Sequence, residues 1–104
     1  MFTPKFRTKQ TDLLMEALLS LQTAEEAYRF CEDVLSVQEL KSITQRLEVA
    51  VMLRKKVTYQ EIAKTTGAST ATISRINRSL TYGADGYVLA LDRLQHNDPS
   101  AQSK

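Results

Sequence analysis

The segment from Thr58 to Leu80 constrains the fold of this chain more than any other stretch. Its centre is a glycine, Gly67, which can take the left-handed backbone of a tight turn between two helices. A small residue, Ala63, is available where two crossing helices come closest. Thr66 is the weak position, because a larger apolar residue is common there. The apolar residues that would anchor the second helix have helical spacing: Ile62, Ala68, Ile73 and Ile76. The pattern predicts a helix-turn-helix over residues 58–80.

The rest of the chain also has the pattern of helices joined by short turns. Glycine (3) and proline (2) are scarce, which disfavours a sheet with many turns. The third predicted helix is apolar almost all round, so we expect it to be central or buried against a second subunit. Apolar stripes and capping residues predict about six helices: 8–21, one after Thr23, one from Ser36, one from Thr58, one from Ser69 or Thr70 to Leu80, and one after a break at 82–86. The helices from Ser36 and Thr58 each begin with a predicted capping box, formed with Glu39 and Glu61. The predicted fold class is all-α.

The length of 104 residues predicts one domain, 1–104, with a flexible tail at 96–104. A single cysteine, Cys31, excludes an intramolecular disulfide and a cysteine metal cluster, and its place on an apolar helix face favours a core role. No apolar run approaches the roughly 20 residues that cross a bilayer. No signal-peptide core follows the charged N-terminus. We therefore expect a cytoplasmic protein with no membrane or metal partner.

Positive charge is concentrated in one part of the chain. Residues 54–81 hold six basic side chains against the single acidic Glu61, a net charge of +5, which leaves −3 for the remainder of a chain whose net charge is +2. Segregated positive charge on a small domain is typical of phosphate binding, although a solvated basic face is the alternative.

The outward residues of the predicted second helix are suited to nucleic acid. Hydroxyls and methyl groups read base edges, and arginine reads guanine or binds phosphate. The first helix of the motif adds polar residues that could contact the DNA backbone. The predicted DNA-binding residues are Gln60, Lys64, Ser69, Thr70, Ala71, Thr72, Ser74, Arg75 and Arg78. The partner they predict is double-stranded DNA.

Two other functions stay open at this point. The helix-turn-helix could be a helical hairpin that docks protein instead of DNA, but the basic segment argues against it. A small enzyme could use Arg46 and Arg75 to hold an anionic substrate, but no suitably placed general acid or base accompanies them. His96 lacks partners for a metal site, and no phosphate loop, nucleophile elbow or zinc spacing is present. We therefore expect no enzyme.

Three segments together resemble the Trp repressor superfamily, and in particular its YerC/YecD-type branch. They are Gln38-Glu-Leu-Lys-Ser-Ile-Thr-Gln-Arg-Leu-Glu-Val-Ala, Thr58-Tyr-Gln-Glu-Ile-Ala, and Gly67-Ala-Ser-Thr-Ala-Thr-Ile-Ser-Arg-Ile-Asn-Arg-Ser-Leu. The resemblance covers about residues 10–95. It implies an intertwined homodimer whose helix-turn-helix units enter successive major grooves. It also implies a transcription regulator, most simply a repressor, that reads a roughly palindromic operator with half-sites about one helical turn apart. Such a regulator would be associated with the nucleoid in the cytoplasm of a bacterium.

The resemblance further implies a pocket in which L-tryptophan lies between two arginines. Arg46 and Arg75 match those arginines, and four other residues match pocket positions: Leu35, Ser36, Thr72 and Ser79. The residue after the second arginine is a glycine in the family's tryptophan-binding member but is Ile76 here. Its branched side chain would occupy space that the indole ring needs. We therefore expect no cofactor and no tryptophan gating, and L-tryptophan or another small effector stays open as the alternative.

Overall fold

The computed structural model describes residues 2–96, and every regular element in that range is helical. The chain forms two compact units, Met1–Leu40 and Lys41–Lys104. The helices, in chain order, are α1 (Lys9–Ser20), α2 (Ala24–Val34), α3 (Val37–Arg54), α4 (Tyr59–Thr66), α5 (Thr70–Tyr82) and α6 (Gly86–His96). The all-α prediction with about six helices is therefore confirmed. The predicted tail at 96–104 lies, apart from the end of α6, outside the described residues.

Hydroxyl side chains fix where most of these helices begin. The hydroxyl of Thr23 accepts a hydrogen bond from the backbone N–H of Glu26, which satisfies one of the free donors of the first turn of α2. Thr8 does the same for α1 in a reciprocal bond pair with Thr11 that the sequence analysis did not predict. These caps explain why the helix starts follow the sequence closely.

The predicted capping box at the start of α3 is confirmed. The backbone N–H of Ser36 donates to Oε1 of Glu39 at 2.8 Å, and the backbone N–H of Glu39 donates to Oγ of Ser36 at 3.1 Å. The backbone N–H of Ser36, and then its hydroxyl, hold the pKa of the Glu39 carboxyl below its ordinary value. The box therefore stabilises the fold above the ordinary glutamate pKa, and this stability is lost as the pH falls through the lowered pKa of the folded state.

The hydrophobic core of the described residues lies in the second unit. Its fully buried members include Val49 in α3, Ile62 in α4 and Ile73 in α5. Helices α4 and α5 pack against each other, and α6 packs on α5 through the buried Leu91. An ion pair joins Arg54 at the end of α3 to Asp92 of α6, with 2.6 Å between guanidinium nitrogen and carboxylate oxygen. Only Val49 and Ala50 of α3 are buried, so this core covers part of the helix, and burial of the rest against a second subunit stays a prediction.

The first unit has a different character. Neither α1 nor α2 contains a buried residue, although both carry large apolar side chains. Leu13 and Leu19 of α1 are 66% and 86% exposed, and Val34 of α2 is also exposed. Cys31 is half-buried. A unit of about 40 residues rarely stabilises a core of its own, so apolar surface of this extent needs cover from another surface.

Candidate nucleic-acid interface

The turn between α4 and α5 has the geometry that the sequence predicts. Gly67 has a φ of +77°, in the left-handed region, and its backbone N–H donates to the carbonyl of Ala63 at 2.9 Å. A Cβ added at Gly67 would meet nothing within 4 Å, so the glycine is needed for its backbone conformation and not for space. Ile62, Ala68 and Ile76 are buried on either side of the turn. The predicted helix-turn-helix is therefore confirmed as a structural motif.

Thr66 is not the weak position of the motif that the sequence suggests. Its hydroxyl donates to the carbonyl of Ile62 at 2.8 Å and accepts the backbone N–H of Ala68 at 3.1 Å, so one side chain ties the end of α4 to the turn. The side-chain amide of Gln45 in α3 donates to the carbonyl of Thr66 at 3.1 Å. These polar contacts replace the larger apolar side chain that is common at this position.

Replacing Thr66 with Val should lower the free energy of unfolding by about 1–2 kcal/mol, because the N–H of the buried Ala68 loses its acceptor. Urea denaturation followed by circular dichroism would measure the loss. The matched control is Thr65→Val at the exposed neighbouring position, which should change stability by at most about 0.5 kcal/mol. Equal stability of the two variants would contradict the role assigned to the Thr66 hydroxyl.

Helix α5 presents one face outward. Ile73 and Ile76 face the core, and five of the predicted DNA-binding residues lie outside that buried face of the helix. All five of these are exposed: Thr70, Ala71, Ser74, Arg75 and Arg78. A helix with short polar side chains and arginines on its free face has the chemistry to read a major groove.

Two of the predicted DNA-binding residues have a clear structural role at the start of α5. Ser69 is the N-cap, and its hydroxyl accepts the backbone N–H of Thr72 at 3.1 Å. The same hydroxyl donates to Oγ1 of Thr72 at 3.0 Å, and Thr72 is half-buried. The cap therefore occupies part of the hydrogen-bonding capacity of both side chains, although Ser69 remains exposed.

Gln60 and Lys64 are exposed on α4, one turn apart. This helix begins at Thr58, whose hydroxyl accepts the backbone N–H of Glu61 at 3.3 Å. The sequence predicts a full capping box here, but among the described hydrogen bonds only this half of it is formed. Tyr59, at the first position of the helix, is 37% exposed.

The basic side chains of residues 54–81 are largely free of acidic partners. Among the ion pairs within residues 2–96, only Arg54 of this segment takes part, through Asp92. The other basic side chains of the segment are exposed: Lys55, Lys56, Lys64, Arg75 and Arg78. Positive charge that is not neutralised within the protein is available to an anionic partner.

Asn77 is a candidate contact that the sequence analysis missed. It is exposed, and it lies three residues after Ser74 and seven after Thr70, so it shares their face of α5. Asparagine can bond two edges of adenine in the major groove. Extending the helical periodicity by one turn from Ser74 would have identified it.

The predicted effector residues of the second unit are less well suited to a pocket. Arg46 and Arg75 are exposed, and Thr72 and Ser79 are half-buried. Ile76 is only 4% exposed and belongs to the hydrophobic core. Leu35 and Ser36 lie in the first unit. A groove along α3 is lined by other residues: Lys41, Thr44, Gln45, Leu47, Glu48, Val51 and Thr66.

Within the described part of the chain, no cluster of three or more histidine, cysteine, aspartate or glutamate residues could hold a metal ion. No helix in the same part is long and apolar enough to cross a membrane.

Comparison with known proteins agrees with this geometry. The family model described as Trp repressor protein matches residues 9–95. The Bacillus subtilis protein YerC is 50% identical over 100 residues, which are 96% of each chain. The crystal structure of a TrpR-like protein from Eubacterium eligens superposes with a TM-score of 0.82 at 54% identity, over 86% of this chain and 93% of that one. A second solved structure, from Staphylococcus aureus, superposes with a TM-score of 0.81 at 47% identity, over 86% of this chain and 90% of that one. The chain therefore belongs to the Trp repressor family, a family of DNA-binding regulators.

Proposed function

We propose that this protein is a sequence-specific transcription regulator, most simply a repressor, that binds duplex DNA as a helix-turn-helix homodimer without tryptophan. The observation that carries the proposal is the free face of α5, where Thr70, Ser74 and Arg75 are exposed opposite a buried apolar face. The unpaired basic side chains around the motif supply attraction for phosphates. The family consists of regulators, and we therefore propose no enzymatic role for this chain.

The homodimer is supported by apolar surface that one protomer leaves uncovered. The first unit has no buried residue in α1 or α2, and α3 adds Ile43 and Leu47, which are 47% and 39% exposed and lie one turn apart. Isolated exposed leucines are ordinary, but apolar side chains this numerous within each unit favour an interface. A second copy of the chain would cover these apolar faces and supply a second α5 for one palindromic site.

The absence of tryptophan gating is supported by Ile76. In the family's tryptophan-binding member, a glycine at this position leaves room for the indole ring. Here the side chain of Ile76 is buried in the core beside Ile73. Clearing that space would require repacking a close-packed interior, which is energetically costly. The residues therefore do not fit L-tryptophan, and we propose that α5 is ready to bind DNA without it.

Selection of bound DNA from a random pool would test the function directly. The proposal expects one enriched palindrome, with half-sites about one helical turn apart, in the absence of any small molecule. Adding L-tryptophan should leave the enrichment and the affinity unchanged. Failure to enrich any sequence, with or without metabolites, would contradict DNA recognition. Enrichment only in the presence of tryptophan would contradict the proposed independence of the ligand.

Replacing Arg78 with Ala should weaken binding to the selected duplex and reduce its salt dependence. If Arg78 contacts phosphate, the slope of log affinity against log salt should fall by about 0.9 for each contact, or about 1.8 for a dimer. Fluorescence anisotropy across a salt series measures both quantities. Arg29→Ala is the matched control, since Arg29 is exposed on α2 among acidic residues. Unchanged affinity and slope for Arg78→Ala would remove this residue from the interface.

A further inference from the structure

The loop between α3 and α4 contains a lysine in an unusual backbone conformation. Lys56 has a φ of +64°, in the left-handed region that glycine adopts most easily. Its backbone N–H donates to the carbonyl of Leu53 at 3.0 Å, and the N–H of Val57 donates to the carbonyl of Met52 at 3.1 Å. This pair of bonds is the Schellman motif that ends many helices, and glycine is the usual residue at the position of Lys56.

Local chemistry does not account for a lysine at this position. The described residues contain one other non-glycine residue with positive φ, Asp85, at +65° in the turn before α6. Aspartate tolerates this conformation because its short polar side chain can hydrogen-bond to the nearby backbone. The long side chain of Lys56 has no such bond, so stability alone would favour glycine or asparagine there.

The helix end does not require the charge either. A cation near a helix C-terminus is favourable, but Arg54 already lies in the last turn of α3, and Lys55 follows it. The Schellman bonds satisfy the carbonyls of Met52 and Leu53 without a side-chain donor. The hydrogen bonds that end α3 therefore do not depend on the ammonium group of Lys56.

The location of Lys56 beside the start of α4 indicates which ligand its charge could bind. Lys56 is exposed, it takes part in none of the ion pairs within residues 2–96, and it lies two residues before Thr58, the N-cap of the first helix of the motif. The Schellman bonds fix its backbone at the end of α3, so its side chain extends from an ordered turn that leads directly into the first helix of the motif. A lysine ammonium is a compact point charge suited to a phosphate oxygen.

Resting on the proposed function, we propose that Lys56 is an additional DNA-contacting residue that binds a backbone phosphate from the α3–α4 turn. It extends the interface beyond the predicted residues of α4 and α5. Because a phosphate contact carries no sequence information, Lys56 contributes affinity and orientation but no base preference.

Lys56→Gly is the most direct test, because it removes the charge while keeping a residue that suits the left-handed backbone. The full-length variant is titrated with the selected duplex across a salt series. The salt slope should fall by about 0.9 for each lysine lost, or about 1.8 for a dimer, and the affinity in about 0.05 M salt should fall on the order of tenfold per contact. The melting temperature should stay at or above that of the unmodified protein, because glycine adopts a positive φ more easily than lysine does.

Two variants complete the test. Lys56→Arg should keep the salt slope, and Lys9→Gln, which removes an exposed lysine at the start of α1, should leave it unchanged. An unaltered slope in Lys56→Gly, when the unmodified protein binds the duplex, would overturn this inference and leave the proposed function intact. Failure of the unmodified protein to bind any selected duplex would instead overturn the proposed function. Weaker binding of an acidic protein by Lys56→Gly, with DNA binding unchanged, would assign the lysine to a protein partner.

Discussion

Replacing Ile73 with Ala is expected to lower the free energy of unfolding by about 3 kcal/mol, because truncation of a buried isoleucine usually leaves a cavity that the surroundings only partly fill. Ile73 is fully buried and belongs to the same core cluster as Ile62 of α4 and Val49 of α3. It is therefore a main apolar anchor between the outward-facing helix and the rest of the second unit. A loss of this size is a large share of the 5–15 kcal/mol that typically stabilises a small domain.

Urea denaturation measures the free energy of unfolding, and two control variants show what a smaller truncation and an exposed truncation cost. Ile73→Val removes one methylene group and should cost about 1 kcal/mol. Leu89→Ala, at a position in α6 that is 54% exposed, should cost much less. At temperatures where the Ile73→Ala variant is partly unfolded, its apparent affinity for DNA should fall in proportion to the folded fraction. A cost below that of Leu89→Ala would contradict the assigned role of Ile73 in the core.

The motif itself was predictable because its determinants are local. The left-handed turn at Gly67, the cap at Ser69 and the buried spacing of Ile73 and Ile76 all act within a few residues of chain. The end of α5 was less predictable, since the helix continues to Tyr82, two residues beyond the expected Leu80. Gly83 caps the helix directly after Tyr82, within the break that the sequence predicts at 82–86, and a difference of two residues at a helix end is ordinary.

The contacts that join α3 to other helices of the second unit could not be predicted in the same way. The bond from Gln45 to Thr66 and the ion pair of Arg54 with Asp92 join residues far apart in sequence, and no periodicity within one helix specifies such pairs. The conformation of Lys56 was hidden for a different reason. The sequence offers no glycine or asparagine at that turn, so the usual residue signal for a left-handed helix end is absent.

Replacing Leu47 with Glu should convert the proposed dimer into monomers and reduce affinity for the selected palindrome by at least about a hundredfold. The side chain of Leu47 is 39% exposed in one protomer, in the groove of α3 that also contains Val51. In a dimer, the carboxylate introduced at position 47 would be buried against the second copy without a partner. This burial is strongly unfavourable and would cost more free energy than the buried leucine side chain contributes to the interface. A monomer would then lose the linkage between two half-site contacts, which commonly contributes a factor of 10²–10⁴ in affinity.

Sedimentation velocity and anisotropy titration of the same samples would check this prediction, with circular dichroism to show that the helices persist. Ser42→Glu adds an equal charge at an exposed polar position on another face of α3 and should leave both the dimer and its DNA affinity intact. Ile43→Glu, one turn before Leu47, should reproduce the monomer. If Leu47→Glu and Ile43→Glu both sediment as dimers, this face of α3 is not the dimer interface. If both are monomers with unchanged affinity, a single α5 suffices for DNA binding and the paired-site model is wrong.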